Sequence, residues 1–214
     1  NEQEQRLMLA RDFFGIKPVY YAEIDGHFVF ASEIKSILAF PGYERKVNQK
    51  ALEQYLSFQY APLEETFFKG IYKLMPGHML LYKNGNYEIK TYFKTKLTPG
   101  KWNRKTNMDQ LRSQLAEILR DSVKHHMLSD VEVGAFLSGG VDSGYLASAS
   151  GADQAFTVGF DEGDRYSEVN KAAKVAEKAG LKHHVKIISK QEFWDALPDV
   201  MYHMDEPLGD ASAV

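Results

Sequence analysis

Cysteine is absent from the 214 residues. Disulfides, thiolate metal sites and a cysteine nucleophile within this chain are thereby excluded. No run of ~18 apolar residues occurs, so no transmembrane helix is expected. The start, NEQEQRLMLA, lacks the charged-then-apolar layout of a secretory signal. Net charge is only −3, and no block of like charges marks a nucleic-acid or membrane surface. The default setting is cytoplasmic, with no nucleic-acid and no membrane partner. Internal repeats and low-complexity tracts are missing too. The first residue is not Met, and DEPLGDASAV carries no closing signal; the expectation is a piece of a longer chain.

What is present divides in two. The first ~93 residues read as strands with one or two helices. Asp25-Gly26 and Asn84-Gly85 each stand between apolar, β-rich runs, the strongest short-range hairpin signal. SEIKSILAF has helical spacing at Ile34, Ile37 and Leu38, and Pro41-Gly42 ends it. Asn48 is suited to cap a second helix with Leu52, Tyr55 and Leu56 on one face. Phe13, Phe14, Tyr20, Tyr21, Phe28 and Phe30 are expected in the core, and Lys69 and Lys73 in solvent. Arg11-Asp12 is expected to make a turn contact before Gly15. Residues 94–108 are basic and turn-rich, a linker in which Trp102 covers a seam.

Beyond the linker the period changes. Met108 to Met127 carries a helical stripe of Leu111, Leu115, Ile118, Leu119 and Val123. Strands and helices then alternate: VEVGAFL, VDSGYLASAS, QAFTVGF, a helix capped by Ser167 and stopped by Gly180, HHVKIIS, and KQEFWDALPDVMYHM. That alternation predicts a parallel, doubly wound sheet.

In such a sheet ligands bind beyond the carboxyl ends of the strands. Ser138-Gly139-Gly140-Val141-Asp142-Ser143 falls there. Two glycines permit close backbone approach, and a helix N-terminus adds partial positive charge, so the loop suits a phosphate group. A carboxylate in such a site repels phosphate unless a cation intervenes, which makes Asp142 a magnesium ligand in a magnesium-pyrophosphate reading. No Walker A pattern occurs. A plain Gly-Gly turn with Asp142 and Ser143 as caps is the alternative. His125-His126 and His183-His184 are adjacent pairs whose rings diverge, so they chelate poorly and are expected at the surface or as caps. His203 with Asp205 and Glu206 forms a better cluster.

The S-G-G-x-D-S loop resembles that of ATP pyrophosphatases, which cleave ATP between the α and β phosphates to activate an oxygen as an adenylate. Four further stretches narrow the resemblance: RDFFGIKPVYY from Arg11, FASEIKSIL from Phe30, FFKGIYKLMPGH from Phe67 and HMDEPLGDASA from His203. They are similar, in order, to glutamine-dependent asparagine synthetases. The resemblance implies residues 1–93 as the end of a type 2 glutamine amidotransferase domain, an α+β N-terminal-nucleophile hydrolase-like sandwich. It implies 94–108 as linker and 109–214 as the start of an α/β synthetase domain of the adenine nucleotide alpha hydrolase-like kind. Family chemistry would convert aspartate to β-aspartyl-AMP and then, with ammonia from glutamine, to asparagine.

Carried over by position, Leu137, Ser138, Gly139, Gly140, Val141, Asp142 and Ser143 would bind ATP, with Val158 and Gly159 against the adenosine. Asp205 and Glu206, expected near the same rim, would be the acidic candidates for catalysis. The family's cysteine nucleophile and glutamine-holding stretches would precede Asn1, and its second, Gly-rich acidic loop would follow Val214. No complete reaction is therefore expected from this chain alone. A homodimer of the parent enzyme is one possible assembly. A β-lactam-forming synthetase of the same superfamily and a non-catalytic nucleotide-binding module are the alternatives. Sulfur transfer to tRNA is disfavoured by the lack of thiols and of a basic surface.

Overall fold

A computed structural model describes residues 1, 3–96, 107–161 and 168–210. It divides into two compact units, Asn1–Thr98 with Ala196–Val214, and Pro99–Asp195.

The first unit is built on two antiparallel sheets. One has the order β1 (Arg6–Ala10), β5 (His78–Lys83), β6 (Asn86–Thr91), and the other β3 (His27–Ala31), β2 (Tyr20–Ile24), β4 (Ile71–Lys73). Both two-residue hairpins sit where Asp-Gly and Asn-Gly stand. Asp25 and Gly26 have φ of 47° and 77°, and Asn84 and Gly85 have 52° and 78°. Positive φ at both central residues lets the turn follow the strand twist. The closing pairs are Ile24–His27 and Lys83–Asn86.

Period-2 alternation in β2 joins two cores. Tyr21 enters a cluster with Leu9, Leu74 and Leu80, drawing on both sheets. Ala22 and Ile24 face the other way, against Ile34 and Ile37 of α1 (Ile34–Leu38) and Ile71. Removing Ile34 and Ile37 completely from water contributes roughly 1.5–3 kcal/mol each. Aromatic rings fill the space between the sheets, with Phe28 and Tyr82 stacked at 4.6 Å.

Some expectations for this unit change. Phe13, Phe14 and Phe30 are about half exposed or more: Phe13 and Phe14 lie on the turn after β1, and Phe30, although it pairs with Tyr21 and shares the phase of Phe28, is not covered as they are. In α2 (Gln49–Phe58) Asn48 caps as expected, accepting from the Lys50 amide. The buried position is Ala51, however, while Leu52 and Leu56 remain exposed. Lys73, expected in solvent, is largely covered and pairs with Glu206 at 3.2 Å. Arg11 and Asp12 do serve their turn: the guanidinium donates to the carbonyls of Gly15, Lys17 and Leu74. The Asp12 carboxylate accepts from the amides of Phe14, Ile16 and Lys17.

The second unit holds α3 (Met108–His126), β7 (Ala135–Phe136), α4 (Val141–Ser150), β8 (Gln154–Phe160), α5 (Val169–Ala179) and β9 (Lys182–Ile188); α6 (Lys190–Met204) begins in it. The strands are parallel in the order β7-β8-β9. Because the order advances in one direction, α4 and α5 pack on one face. Ala147, Ala172 and Ala176 meet Leu137 and Ala155 there. The expected winding on both faces is not completed among the described residues: Phe136, Phe156, Val158 and Phe160 are exposed on the other face. β7 is shorter than the VEVGAFL run. At Gly134, just before it, a Cβ would lie 2.5 Å from the Phe156 ring. On α3, Val123 is buried but Leu115, Ile118 and Leu119 are exposed. Gly180 stops α5 with φ of 69°; the Ser167 cap, Trp102 and most of the linker lie outside the described residues.

Asp205 and Glu206 follow α6 and belong to the first unit. Asp205 accepts from the amides of Ile34 (2.7 Å) and Lys35 (3.2 Å) and pairs with the Lys35 ammonium at 3.0 Å. It thus caps α1, whose own preceding residue, Glu33, makes no side-chain cap. Glu206 accepts from the Phe67 amide at 2.9 Å beside its pairing with Lys73. The Gly209 amide donates to Gln59, so the segment is fastened at three points.

Two outcomes follow from these contacts. The amides of Lys17 and Ile16 hold Asp12 down to about 2 from 3.8, so its stabilisation is present above pH ~4 and is lost as pH falls toward 2. Asp12→Asn should lower the melting temperature at pH 7, and the gap to the native protein should narrow by pH 2 in calorimetry. Asp205→Ala removes a cap and one of the two carboxylates that Lys35 pairs with, the other being Glu33, and should cost on the order of 1–2 kcal/mol in denaturant titration; a loss within experimental error would refute the cap.

Candidate functional site

The loop between β7 and α4 grows from strand geometry. The β7–β8 ladder ends at the pair Phe136–Phe156, after which the Leu137 amide still donates to the Phe156 carbonyl at 2.9 Å. The chain then reverses at Gly139, with φ of 76°. A Cβ there would meet Lys171 Cβ at 2.7 Å and the Ala172 nitrogen at 2.8 Å. Glycine is demanded twice, by the left-handed backbone and by the first turn of α5 pressed against it.

Gly140 is the N-cap of α4 and supplies no side chain. The closure comes from two serines. Their hydroxyls are 2.9 Å apart, the Ser138 amide donates to Ser143 Oγ at 3.3 Å, and the Gly140 amide donates to Ser138 Oγ at 3.4 Å. The first-turn amides of α4 have no intrahelical acceptor, and they open beside Gly139 and Gly140. Val141 is 88% exposed. Asp142 is also exposed, and its carboxylate has no ion-pair or hydrogen-bond partner among the described residues. A hard, unpaired carboxylate beside free amides and hydroxyls is a donor set that fits magnesium and phosphate oxygens.

Val158 lies two residues past the last β7–β8 pair, half exposed on the sheet's uncovered face, and Gly159 beside it is buried. Leu137 to Ser143, Val158 and Gly159 therefore occupy one end of one parallel sheet. An open groove of about 700 Å³ runs from Gly139 and Gly140 between α4 and α5, past Gly144, Tyr145 and Lys178.

Asp205 and Glu206 were expected at this rim. Both carboxylates are instead engaged with backbone and lysines of the first unit, as described above, and His203 is exposed at the end of α6. A 320 Å³ cavity of the first unit is lined by Arg11, Tyr20, Tyr60, Lys73, Met204 and Glu206, among others. Burial, with the Glu206 and Asp205 charges behind it, pushes the Tyr20 hydroxyl up to about 12. No group of three or more His, Cys, Asp or Glu that could hold a metal occurs among the described residues.

Both rings of the histidine pair at 183–184 are engaged by neighbouring side chains. His184 stacks on Phe156 at 4.9 Å and reaches Gln154 at 2.9 Å. His183 reaches the buried Thr157 hydroxyl at 2.7 Å. Thr157 went unremarked in the sequence. Its only signal there was a hydroxyl at an inward-facing strand position.

Two family models match the chain, a glutamine amidotransferase domain over residues 1–93 and asparagine synthase over 114–214. Asparagine synthetase [glutamine-hydrolyzing] 1 of Bacillus subtilis is 37% identical over the whole of this chain and 34% of its own length. A putative asparagine synthetase [glutamine-hydrolyzing] of Mycobacterium tuberculosis is 35% identical, over 98% of the chain and 33% of its length. Another, from Methanocaldococcus jannaschii, is 30% identical over 96% of the chain and 41% of its length. The chain thus spans a third or slightly more of these relatives. Residues 1–93 thus match the glutamine amidotransferase domain and 114–214 asparagine synthase, and in this order on one chain they make it similar along its full length to glutamine-hydrolysing asparagine synthetases.

Proposed function

We propose that the protein is part of an ATP-dependent amide ligase that converts aspartate to asparagine through β-aspartyl-AMP, with ammonia from glutamine. The observation that carries this is the exposed, unpartnered Asp142 at the mouth of an amide-rich loop. In this reading residues 1–93 are the end of the amidotransferase domain, a hydrolase-like sandwich of the N-terminal-nucleophile kind. Residues 94–108 are the linker, and 109–214 begin a doubly wound synthetase domain resembling adenine nucleotide alpha hydrolases. Two antiparallel sheets sharing a core, and a parallel sheet after them, support that division.

Leu137 to Ser143 bind the β and γ phosphates of ATP. The amides at Gly139 and the start of α4 are the donors available to the charge that develops as pyrophosphate leaves. Ser138 and Ser143 hold the loop in shape and offer hydroxyls. Asp142 would hold magnesium, which when bound would supply positive charge to offset that of the phosphates. Val158 offers an apolar contact to the adenine, and Gly159 leaves room for the backbone to approach it. Asp205 and Glu206 act as anchors in this reading, because acid–base work would first require them to release Ile34, Lys35, Phe67 and Lys73. The setting is cytoplasmic, the substrates are small molecules, and the whole enzyme has a homodimer as one assembly.

The test is magnesium-dependent ATP–pyrophosphate exchange by the full-length protein, with and without aspartate. Exchange should require aspartate, and Asp142→Ala should lower it at least about 100-fold. Exchange indifferent to aspartate, or to Asp142, would overturn the assignment. Gly139→Ala should abolish ATP binding in calorimetric titration, because the loop must shift to admit a methyl group at positive φ. Wild-type ATP affinity in that variant would show that the loop's shape is not the binding determinant.

A further inference from the structure

We infer that Thr157 and His183 are positioning residues for the phosphate loop, acting in series through the carbonyl of Leu137; for nucleotide use this rests on the ATP assignment above. Leu137 is the last residue before the loop and is only 2% exposed. Its amide is satisfied by Phe156, but β7 has ended, so no ladder donor remains for its carbonyl. A buried carbonyl without a partner costs about 1–3 kcal/mol. The Thr157 hydroxyl fills the gap at 2.6 Å.

The direction of each bond follows from proton count. A carbonyl only accepts, so the single Thr157 proton goes to Leu137. The same oxygen must then accept from His183, 2.7 Å away. The proton on that ring is therefore at Nε2. Donation from the ring polarises the hydroxyl and strengthens its bond to Leu137. The chain His183 Nε2–H to Thr157 Oγ1–H to Leu137 C=O fixes the plane of the peptide that joins Leu137 to Ser138. The nitrogen of that peptide is the Ser138 amide, which closes the loop onto Ser143. Thr157 on β8 and His183 on β9 thus set where the loop begins, and neither belongs to the ATP-binding stretch itself.

The experiment uses the full-length protein and four variants: Thr157→Val, Thr157→Ser, His183→Phe and the double variant Thr157→Val with His183→Phe. Thr157→Val keeps shape and removes the hydroxyl. It should raise KM for ATP about tenfold in ATP–pyrophosphate exchange, the equivalent of one unpaired buried carbonyl, with KM for aspartate unchanged. Thr157→Ser should restore the native value. His183→Phe should shift KM for ATP the same way by a smaller factor, and the double variant should be no worse than Thr157→Val. Hydrogen exchange without nucleotide should quicken in peptides covering 138–143 and not in α3. Two-bond ¹H–¹⁵N spectra should show His183 protonated at Nε2. A Thr157→Val protein with native KM for ATP and native exchange at 138–143 overturns the inference, as does a serine variant no better than valine. Should Thr157→Val fail to fold, His183→Phe decides by the same two readouts. A native protein that neither binds nor turns over ATP refutes the nucleotide assignment instead, and loop exchange in the variants still decides the positioning role.

Discussion

The constraint on which the rest turns is that a parallel strand must stop and become a helix within four residues without leaving buried backbone groups unpaired. Between Phe136 and Val141 the ladder supplies a partner for the Leu137 amide and the helix one for the Gly140 carbonyl, and the other backbone groups depend on side chains or stay open. The protein meets the requirement with side chains: Thr157 for the Leu137 carbonyl, Ser143 for the Ser138 amide and Ser138 for the Gly140 amide. Among the groups left without an acceptor in the described residues are the amides at the start of α4. The anion-binding character of the loop is the residue of this accounting. Groups that structure could pair are paired, and the leftover donors form the site.

The same economy organises the first unit. Asn48 caps α2, Asp12 gathers three amides of the turn after β1, and Asp205 and Glu206 reach the amides of Ile34, Lys35 and Phe67 from positions far along the chain. The Asp205 and Glu206 carboxylates are occupied by backbone amides and by the Lys35 and Lys73 ammonium groups. That occupancy is the physical reason for reading them as anchors. Acidic residues in a motif are not interchangeable: Asp142 and Asp205 share a side chain, but one is exposed without a partner among the described residues and the other is covered by three donors.

What could be read from the sequence was whatever local chemistry decides. Asp25-Gly26 and Asn84-Gly85 required positive φ and obtained it, Asn48 capped, Gly180 stopped α5, and the glycine loop followed its strand. What could not be read depends on contacts between distant segments. Nothing near Lys73 announces Glu206, and nothing near Ile34 announces Asp205. Leu52 and Leu56 had the right spacing for a buried face, but the space available beside α2 admitted Ala51 at the buried position. Phe136, Phe156, Val158 and Phe160 satisfied the strand pattern on both faces, and only the placement of α4 and α5 decides which face is covered.

Thr157 shows why a functional shell is harder to see than a functional loop. Its neighbours Val158 and Gly159 were singled out because they end a strand beside the phosphate site, where a ligand could be touched. Thr157 faces the other way, into the alanine-lined seam beneath α4 and α5, where a hydroxyl needs a reason to exist. Val would fill the same volume without a polar atom to satisfy, so packing alone gives no ground for threonine. The ground is the single carbonyl that the turn from β7 leaves behind. Sequence patterns register which face a residue takes; they do not register which backbone atom opposite it lacks a partner. That second quantity exists only once β7, β8 and β9 are aligned, and it is what converts an ordinary strand residue into a determinant of loop shape.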